Sequence, residues 1–191
     1  MPSQLTLFGD DRPAPPVPGL VLVEDAISPG LEAELADLID AAPLTPFQFG
    51  QWEGKRLTAN YGSAYDYTRA RPTPAPQMPD WLAALRDRLA TVFSLDPELC
   101  EQALLIRYDP GAGIGWHRDR PQYGKVIGLS LSAPVIMRFR RMRAGGGFER
   151  AGVPLPPRSA YLLDGPARWE WQHSIRPVEE LRRSITLRTM A

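Results

Sequence analysis

The sequence predicts an α+β fold, in which a double-stranded β-helix (jelly roll) is flanked by N-terminal helices. The chain after Cys100 contains short β-rich segments separated by glycine and proline, a pattern typical of antiparallel strands. The chain before it contains two segments with helical periodicity. The 21 prolines among 191 residues also favour strands and loops over a helical bundle.

The N-terminal half is expected to contain one strand and two helices. Leu20–Val23 is apolar and predicts the strand. Ser28 followed by Pro29 is typical of a helix N-cap with proline at the first helical position. This first helix should run to about Asp40 and bury Leu31, Leu35, Leu38 and Ile39. Asp80 is expected to cap a second helix, which should bury Leu82, Leu85, Leu89, Val92 and Phe93.

Five strands are predicted in the C-terminal half, at residues 103–108, 125–131, 135–140, 159–163 and 184–189. Residues 43–79 are aromatic, polar and rich in proline without a helical period, so we expect a long loop there that acts as an aromatic lid. Residues 1–18 are proline-rich and predict a flexible arm. A single domain would then span residues 19–191.

Composition excludes several classes of protein. With 22 basic and 22 acidic residues the net charge is zero, so an anionic partner would need a local patch of positive charge. The single cysteine, Cys100, excludes a disulfide framework. No apolar run approaches the roughly 20 residues that cross a bilayer, and the N-terminus lacks a signal-peptide pattern. We therefore expect a cytoplasmic protein with no membrane partner.

The segment LLIRYDPGAGIGWHRDR, residues 104–120, contains a candidate metal site. In an extended strand, His117 and Asp119 point to the same side because they are two residues apart. The one other histidine of the chain is His173, in WEWQHSIRP. Two histidines and one carboxylate form the facial triad of non-haem Fe(II) oxygenases. A histidine bonded to a carboxylate is also a common structural arrangement, so the motif alone leaves both interpretations open.

Two arginines of the last predicted strand are candidates for binding a carboxylate ligand. Arg182 and Arg188 are six residues apart and therefore lie on one face of the strand. If this face points inward, the guanidinium groups would hold a dicarboxylate through bidentate hydrogen bonds. If it points outward, the strand has an ordinary solvated charged face.

Three motifs together resemble the AlkB family of Fe(II)- and 2-oxoglutarate-dependent dioxygenases. They are RYDPGAGIGWHRD, LLDGPARWEWQHSI and the terminal RRSITLR. The resemblance implies that His117, Asp119 and His173 are catalytic and ligate iron. It implies 2-oxoglutarate and O₂ as cosubstrates of the Fe(II) centre.

The resemblance also implies how the cosubstrate is held and what is oxidised. Arg188 would pair with the distal carboxylate of 2-oxoglutarate, Tyr108 would hydrogen-bond it, and Arg182 would lie at the iron-proximal end. The expected reaction is oxidative demethylation of alkylated nucleic-acid bases, in the service of DNA repair. A protein or small-molecule hydroxylase of the same oxygenase class is the alternative. A non-catalytic binding module would not need this full set of residues.

The substrate side departs from the family pattern. Many members carry asparagine where this chain has Ile106, and some carry an acidic residue where it has Pro121. The preferred lesion therefore stays open. A base must leave the duplex to reach a buried metal. The predicted lid contains the tyrosines Tyr61, Tyr65 and Tyr67. We expect these side chains either to stack on such a base or to pack within the loop.

A cluster of arginines predicts a second contact with nucleic acid. Arg138, Arg140, Arg141 and Arg143 lie beside three consecutive glycines in what we expect to be a hairpin suited to phosphates. The alternative is a solvated sheet edge protected by charge.

The predicted arm contains a short apolar motif, Gln4-Leu5-Thr6-Leu7-Phe8. It resembles the peptides by which bacterial polymerases and repair proteins dock on the sliding clamp. Leu5, Leu7 and Phe8 would enter an apolar pocket while Gln4 sets the register through hydrogen bonds. The alternative is a strand that packs on its own domain.

Overall fold

A computed structural model describes residues 16–49, 52–66 and 71–191. Its helices are α1 (Pro29–Ala41), α2 (Asp80–Val92) and α3 (Gly165–Trp169), with a 3₁₀ helix at Pro97–Leu99. Its strands are β1 (Leu20–Val23), β2 (Thr45–Phe49), β3 (Trp52–Tyr61), β4 (Ser63–Asp66), β5 (Arg71–Pro74), β6 (Gln102–Tyr108), β7 (Ile114–His117), β8 (Tyr123–Leu131), β9 (Val135–Met142), β10 (Phe148–Leu155), β11 (Ala160–Leu163), β12 (Gln172–Ile175) and β13 (Arg182–Met190). No helix within these described ranges is long and apolar enough to cross a membrane.

Two antiparallel sheets pack face to face and confirm the predicted jelly roll. The larger has seven strands in the order β1-β11-β8-β13-β6-β3-β2, and the smaller has four in the order β10-β9-β12-β7. A core cluster joins them: Val126 and Leu163 of the larger sheet are buried with Met137 and Phe139 of the smaller one. Strands β4 and β5 form a separate hairpin.

Helices α1 and α2 cover the outer face of the seven-stranded sheet. Ser28 caps α1, because its hydroxyl accepts a hydrogen bond from the Leu31 amide at 3.2 Å. The buried apolar face of α1 and α2 packs against the sheet; this cluster includes Leu35, Ile39, Leu82, Leu85, Leu89, Leu105, Leu129 and Ile185. Two details of α2 differ from the prediction. Pro79 rather than Asp80 occupies the N-cap, without a side-chain bond, and Val92 is 38% exposed because it lies at the C-terminal end of the helix.

Alternation along β13 decides which way the two arginines point. Ile185 and Leu187 belong to the core beneath the helices. Residues with the opposite parity therefore face the space between the sheets. Arg182 is buried there with 1% exposure, and the side chain of Arg188 is 12% exposed. The inward alternative is thus confirmed, and the arginines form part of the interior.

The expected long loop at residues 43–79 is wrong for much of its length. Strands β2 and β3 belong to the seven-stranded sheet, where β3 pairs with β6 from Leu57 opposite Arg107 to Tyr61 opposite Ala103. Ala59 and Tyr61 face the helices. The other face of the strand carries polar residues such as Asn60, and this mixture of small, polar and aromatic side chains hides the strand periodicity. A role as a lid stays a prediction.

The boundary of the predicted arm also needs correction. Val17 is completely buried in the core between the sheets, together with Leu20 and Trp171, so the packed part of the chain includes residues assigned to the arm. The burial of Val17 could not be predicted, because an isolated valine among prolines shows no hydrophobic periodicity. The Gln4-Leu5-Thr6-Leu7-Phe8 motif lies outside the described residues.

Candidate metal centre

His117, Asp119 and His173 come together between the two sheets. One potential ligand atom of each residue lies within 4.8 Å of the others. His117 ends β7 and pairs directly with His173 of the neighbouring β12, which places their ring centroids 4.3 Å apart. Asp119 follows two residues after His117, and its Oδ2 is 3.6 Å from Nε2 of His173. Cross-strand pairing therefore brings the distant His173 to the His-x-Asp motif.

Both histidines are uncharged near neutral pH. Burial lowers the pKa of His173 to about 3, and burial also lowers the pKa of His117. Nδ1 of His117 lies 2.9 Å from the carbonyl oxygen of Gly115, so a neutral ring donates from Nδ1 and keeps the lone pair of Nε2 available. A neutral imidazole is the form that binds a metal ion.

Asp119 supplies an ionised carboxylate to the same cluster. Burial alone would raise its pKa, but the positive charge of Arg188 holds the pKa well below its usual range. Its side chain is 6% exposed. Two neutral imidazoles and one carboxylate are the donor set of a facial triad, and in the described part of the chain no other cluster offers three such ligands.

A chain of largely half-buried hydrogen bonds fixes the Asp119 carboxylate. Nε of Arg188 donates to Oδ1 of Asp119 at 2.7 Å, and Nη1 donates to Oε1 of Gln102 at 2.7 Å. The Gln102 amide in turn donates to Oδ1 of Asn60 at 3.2 Å and to the Ala103 carbonyl at 3.1 Å. Gln102 is fully buried. Arg188 therefore binds a candidate metal ligand, Asp119. Gln102 of β6 and Asn60 of β3 hold Arg188 in place through the hydrogen-bond chain.

Arg182 has a different environment. Its Nη2 donates to the Ser130 hydroxyl at 3.2 Å, and its guanidinium carbon lies 5.1 Å from the centre of the Tyr108 ring. Nε and Nη1 are buried and have no hydrogen-bond partner among the described residues. Buried polar groups normally have hydrogen-bond partners. A buried guanidinium whose N–H groups lack partners therefore indicates a binding place for an anionic ligand. Tyr108, with 3% exposure, lies beside this place.

Tyr161 lies near both arginines, and no pattern in the sequence indicated this. It lies in β11 opposite Gly128 of β8, and its ring crosses the glycine so closely that an added Cβ would be 2.1 Å from Cζ. Burial raises the pKa of Tyr161 to about 12, so its hydroxyl stays protonated and can donate a hydrogen bond. The charges of both Arg182 and Arg188 act on it. A tyrosine opposite a glycine in paired strands is visible only once the register is known.

Arg168 fixes the turn that follows Asp119. It is 2% exposed, and it donates from Nε to the Gly124 carbonyl and from Nη2 to the Arg120 carbonyl, both at 2.7 Å. A third bond reaches the carbonyl of Tyr123. Because all three acceptors are backbone atoms, no pairing of side chains in the sequence indicated this role.

The tyrosines predicted to stack on a base have separate outcomes. Tyr61 is 9% exposed in the core beneath the helices, on the face of β3 that points away from the metal cluster, so the prediction that it stacks on a base is wrong and it has a packing role instead. Tyr65 lies in β4, and Tyr67 lies outside the described residues. Stacking by Tyr65 or Tyr67 stays a prediction.

The sequence of this chain is similar to a protein-family model and to proteins from several organisms. The family model described as the 2OG-Fe(II) oxygenase superfamily matches residues 47–188. A Xenopus tropicalis protein named tRNA (carboxymethyluridine(34)-5-O)-methyltransferase alkbh8 is 30% identical over 169 residues, which cover 84% of this chain and 25% of the relative. The alkylated DNA repair protein ALKBH8 homolog of Arabidopsis thaliana is 28% identical over 184 residues, covering 83% and 51% respectively. This chain thus spans between a quarter and about half of the length of these two relatives.

The solved structure of OsALKBH1 has the same fold. It superposes with a TM-score of 0.66 over 90% of this chain and 98% of the other, at 14% sequence identity. At that identity the likeness concerns the arrangement of the strands and helices.

Proposed function

Because this chain belongs to the 2OG-Fe(II) oxygenase superfamily and to its AlkB-type members, we propose that it demethylates alkylated bases in nucleic acid by oxidation. It is a dioxygenase that uses Fe(II), 2-oxoglutarate and O₂. The observation that carries the proposal is the half-buried His117, Asp119 and His173 cluster beside the Arg182 guanidinium, which has two N–H groups without a partner among the described residues.

The donor set fits Fe(II). His117, Asp119 and His173 would hold the ion on one side and leave coordination positions open for the cosubstrate and oxygen. The chemistry supplied by the bound iron is oxidation coupled to decarboxylation of 2-oxoglutarate to succinate. Hydroxylation of an N-methyl group gives an unstable hemiaminal, and loss of formaldehyde completes the demethylation.

The contacts support the reverse of the arginine roles that the family resemblance implied. Arg188 already bonds Asp119 and Gln102, so it belongs to the metal end of the pocket. Two N–H groups of Arg182 have no partner in the described part of the chain, and Arg182 lies beside Tyr108, so we assign these two residues to the distal carboxylate of 2-oxoglutarate. Ser130 would hold the Arg182 guanidinium in place through its existing hydrogen bond.

The rest of the pocket would orient the cosubstrate and exclude water. The protonated Tyr161 hydroxyl is a further donor near both arginines. Leu104, Ile106 and Ile175 form an apolar cluster with Tyr108, and this cluster would exclude water from the contacts between Arg182 and the carboxylate. Hydrogen bonds to a buried carboxylate are strengthened when water is excluded.

The substrate class rests on the relatives and on one motif of this chain. The Arabidopsis relative is named for repair of alkylated DNA and the Xenopus relative for modification of tRNA. The Gln4-Leu5-Thr6-Leu7-Phe8 motif favours DNA, because a clamp ligand would concentrate the enzyme at replicating DNA. A peptide of residues 1–11 should bind a bacterial clamp, and binding should be lost with Leu7→Ala and Phe8→Ala. A peptide that does not bind would remove this argument for DNA.

The test is turnover of methylated oligonucleotides. Protein loaded with Fe(II) and 2-oxoglutarate is given oxygen and a panel of DNA and RNA strands that carry single methylated bases. We expect loss of the methyl group, detected by mass, in proportion to succinate formed, with Asp119→Asn as the inactive control. If no strand changes while a peptide or small metabolite is hydroxylated, the protein belongs to the alternative class of hydroxylases.

A further inference from the structure

The outer face of the four-stranded sheet carries three arginines that have no carboxylate partner among the described residues. Met137 and Phe139 of β9 are buried between the sheets, so Arg138 and Arg140 point to the opposite, outer side. Arg150 of β10 is directly opposite Arg140 in the strand register. Among the described residues none of the three arginines forms an ion pair. We refer to Arg138, Arg140 and Arg150 as the arginine ladder.

Aromatic rings hold the arginine ladder in place. The guanidinium carbon of Arg140 lies 4.5 Å from the ring centre of Trp116 and 4.4 Å from that of Phe148. Arg138 lies 4.9 Å from Trp116, and Arg150 lies 5.5 Å from Phe148. Each such contact contributes about 0.5–1 kcal/mol at an exposed site. The rings therefore orient three cations without neutralising them.

The next arginine along β9, Arg141, points to the opposite face of the sheet and is paired with carboxylates. Arg141 bonds Glu149 at 2.7 Å and Glu170 at 2.9 Å. In contrast, Arg140 reaches one neutral side chain, with its Nε donating to Gln172 at 2.8 Å. Like charges directly opposite each other in a sheet are destabilising. The pairing of Arg140 with Arg150 in a chain of zero net charge therefore indicates a surface for an anionic partner.

The arginine ladder lies on the opposite side of the strands that carry the metal ligands. Trp116 immediately precedes His117 in β7, and Gln172 immediately precedes His173 in β12. Strand β7 is one of the two edges of this sheet. A polymer with one unit at the metal centre can reach the ladder by passing around this edge strand. A small-molecule substrate would not reach it.

We propose that the arginine ladder binds the phosphodiester backbone of a polynucleotide strand that flanks the base being oxidised. This inference rests on the proposed function for the identity of the substrate. Arginine side chains that contact phosphates fix the position of a strand without reading its sequence. The role of the ladder would be to raise affinity for long substrates over free nucleosides.

The binding test uses the full chain and a labelled, unmethylated single strand of about 20 nucleotides, because one strand of this length spans a typical single-strand site. Fluorescence anisotropy is measured over a range of salt concentrations. The triple variant R138Q/R140Q/R150Q should weaken binding by at least about tenfold, and each lost phosphate contact should reduce the salt slope by about 0.7. R88Q, which removes an exposed charge from α2, is the matched control and should bind as the parent does. R140K should retain most of the affinity because it keeps the charge.

Turnover separates this inference from the proposed function. The triple variant should show a raised KM for a methylated strand, with an unchanged kcat and unchanged turnover of a methylated nucleoside. If the triple variant binds the strand with the parent's affinity and salt slope, the inference is overturned whatever the reaction is. If ladder-dependent binding is found but no methylated strand is turned over, the binding of a polynucleotide backbone by the ladder stands and the proposed function fails. Tighter, ladder-dependent binding to phosphatidylserine vesicles than to the strand would assign the face to a membrane and overturn the inference.

Discussion

Arg188 holds Asp119 through a hydrogen bond of 2.7 Å, and the same guanidinium is held by Gln102 at 2.7 Å. Arg188 and Gln102 are directly opposite each other in the pairing of β13 with β6. The orientation of the candidate metal carboxylate therefore depends on the sheet that faces it as well as on its own segment. Groups that orient a metal ligand in this way commonly change metal affinity when they are removed.

Gln102→Leu should weaken Fe(II) binding, because it removes the acceptor that orients Arg188 toward Asp119. We expect a loss of about 10-fold or more in affinity, measured by anaerobic titration with Fe(II) and without turnover. Gln102→Glu keeps an acceptor for Arg188 and should retain more of the affinity. Cys100→Ala, another fully buried site nearby, controls for a general loss of stability. Equal Fe(II) affinity in the Leu variant and the parent would refute the role of Gln102.

Arg182→Lys should raise the KM for 2-oxoglutarate by about 10- to 100-fold, because an ammonium group cannot reproduce the planar pair of charge-assisted hydrogen bonds. Fe(II) affinity should stay unchanged. Arg188→Lys should instead weaken Fe(II) and 2-oxoglutarate binding together, since it disturbs Asp119. The opposite result, with 2-oxoglutarate binding lost only in Arg188→Lys, would restore the roles that the family resemblance implied.

Substitution of any one member of the candidate triad should reduce turnover to background. His117→Ala, His173→Ala and Asp119→Asn each remove one of three protein ligands. Asparagine is preferred to alanine at position 119 because it leaves Arg188 with a hydrogen-bond acceptor in a buried site. Circular dichroism should show an intact fold, and succinate and formaldehyde should be undetectable. Substantial turnover by one variant would exclude that residue as a ligand.

The sequence predicted the strands with strong apolar signals and missed those stabilised mainly by their neighbours. Strands β8 and β13 are rich in branched residues, and both were expected. Strand β10 contains Gly152 and Pro154, which disfavour a strand, yet it forms because it is an edge strand paired along its whole length with β9. Strand β7 contains Gly115 and ends at His117, so its periodicity is too short to detect.

The sequence predicted the site residues that lie close together in the chain. It did not predict those that are brought together by the pairing register of the strands. His117 and Asp119 form a motif within three residues, and His173 follows from the family signature. Gln102 is 86 positions from Arg188, and only strand pairing brings them together. Tyr61 was assigned to the substrate because the sequence did not reveal that it lies in a strand, or on which face.

Gly128→Ala should destabilise the protein by about 1–3 kcal/mol, because the added Cβ would overlap the Tyr161 ring. Tyr161→Leu should relieve part of this effect when the two changes are combined. A double-mutant cycle of urea unfolding measures the coupling between them. Gly152→Ala is a suitable control, because its Cβ would be 3.2 Å from a flexible Ile136 methyl group. Additive effects of Gly128→Ala and Tyr161→Leu would show that the close approach is not the cause.

Asp40 joins α1 to the seven-stranded sheet, and its charge should make the stability of this contact depend on pH. Its carboxylate accepts a hydrogen bond from Nε of Arg183 at 2.9 Å and lies 3.2 Å from Nη1 of Arg107. The hydrogen bond from Arg183 lowers the pKa of Asp40 below its ordinary value of 3.8, although burial opposes the shift. Because the folded pKa is the lower one, this stabilisation is complete above the unfolded value of 3.8 and is lost as the pH falls through the folded value.

Asp40→Asn should therefore lower the free energy of unfolding by about 0.5–1 kcal/mol at neutral pH, a modest amount because the side chain is about a third exposed. The difference from the parent should shrink as the pH falls below 3.8, since the parent then loses the same charge. Urea unfolding of the metal-free protein between about pH 7 and about pH 3 measures this difference. Glu34→Gln, at an exposed position of the same helix, should show no comparable change with pH. A constant difference between Asp40→Asn and the parent across this range would mean that the packing of the side chain, rather than its charge, provides the stabilisation.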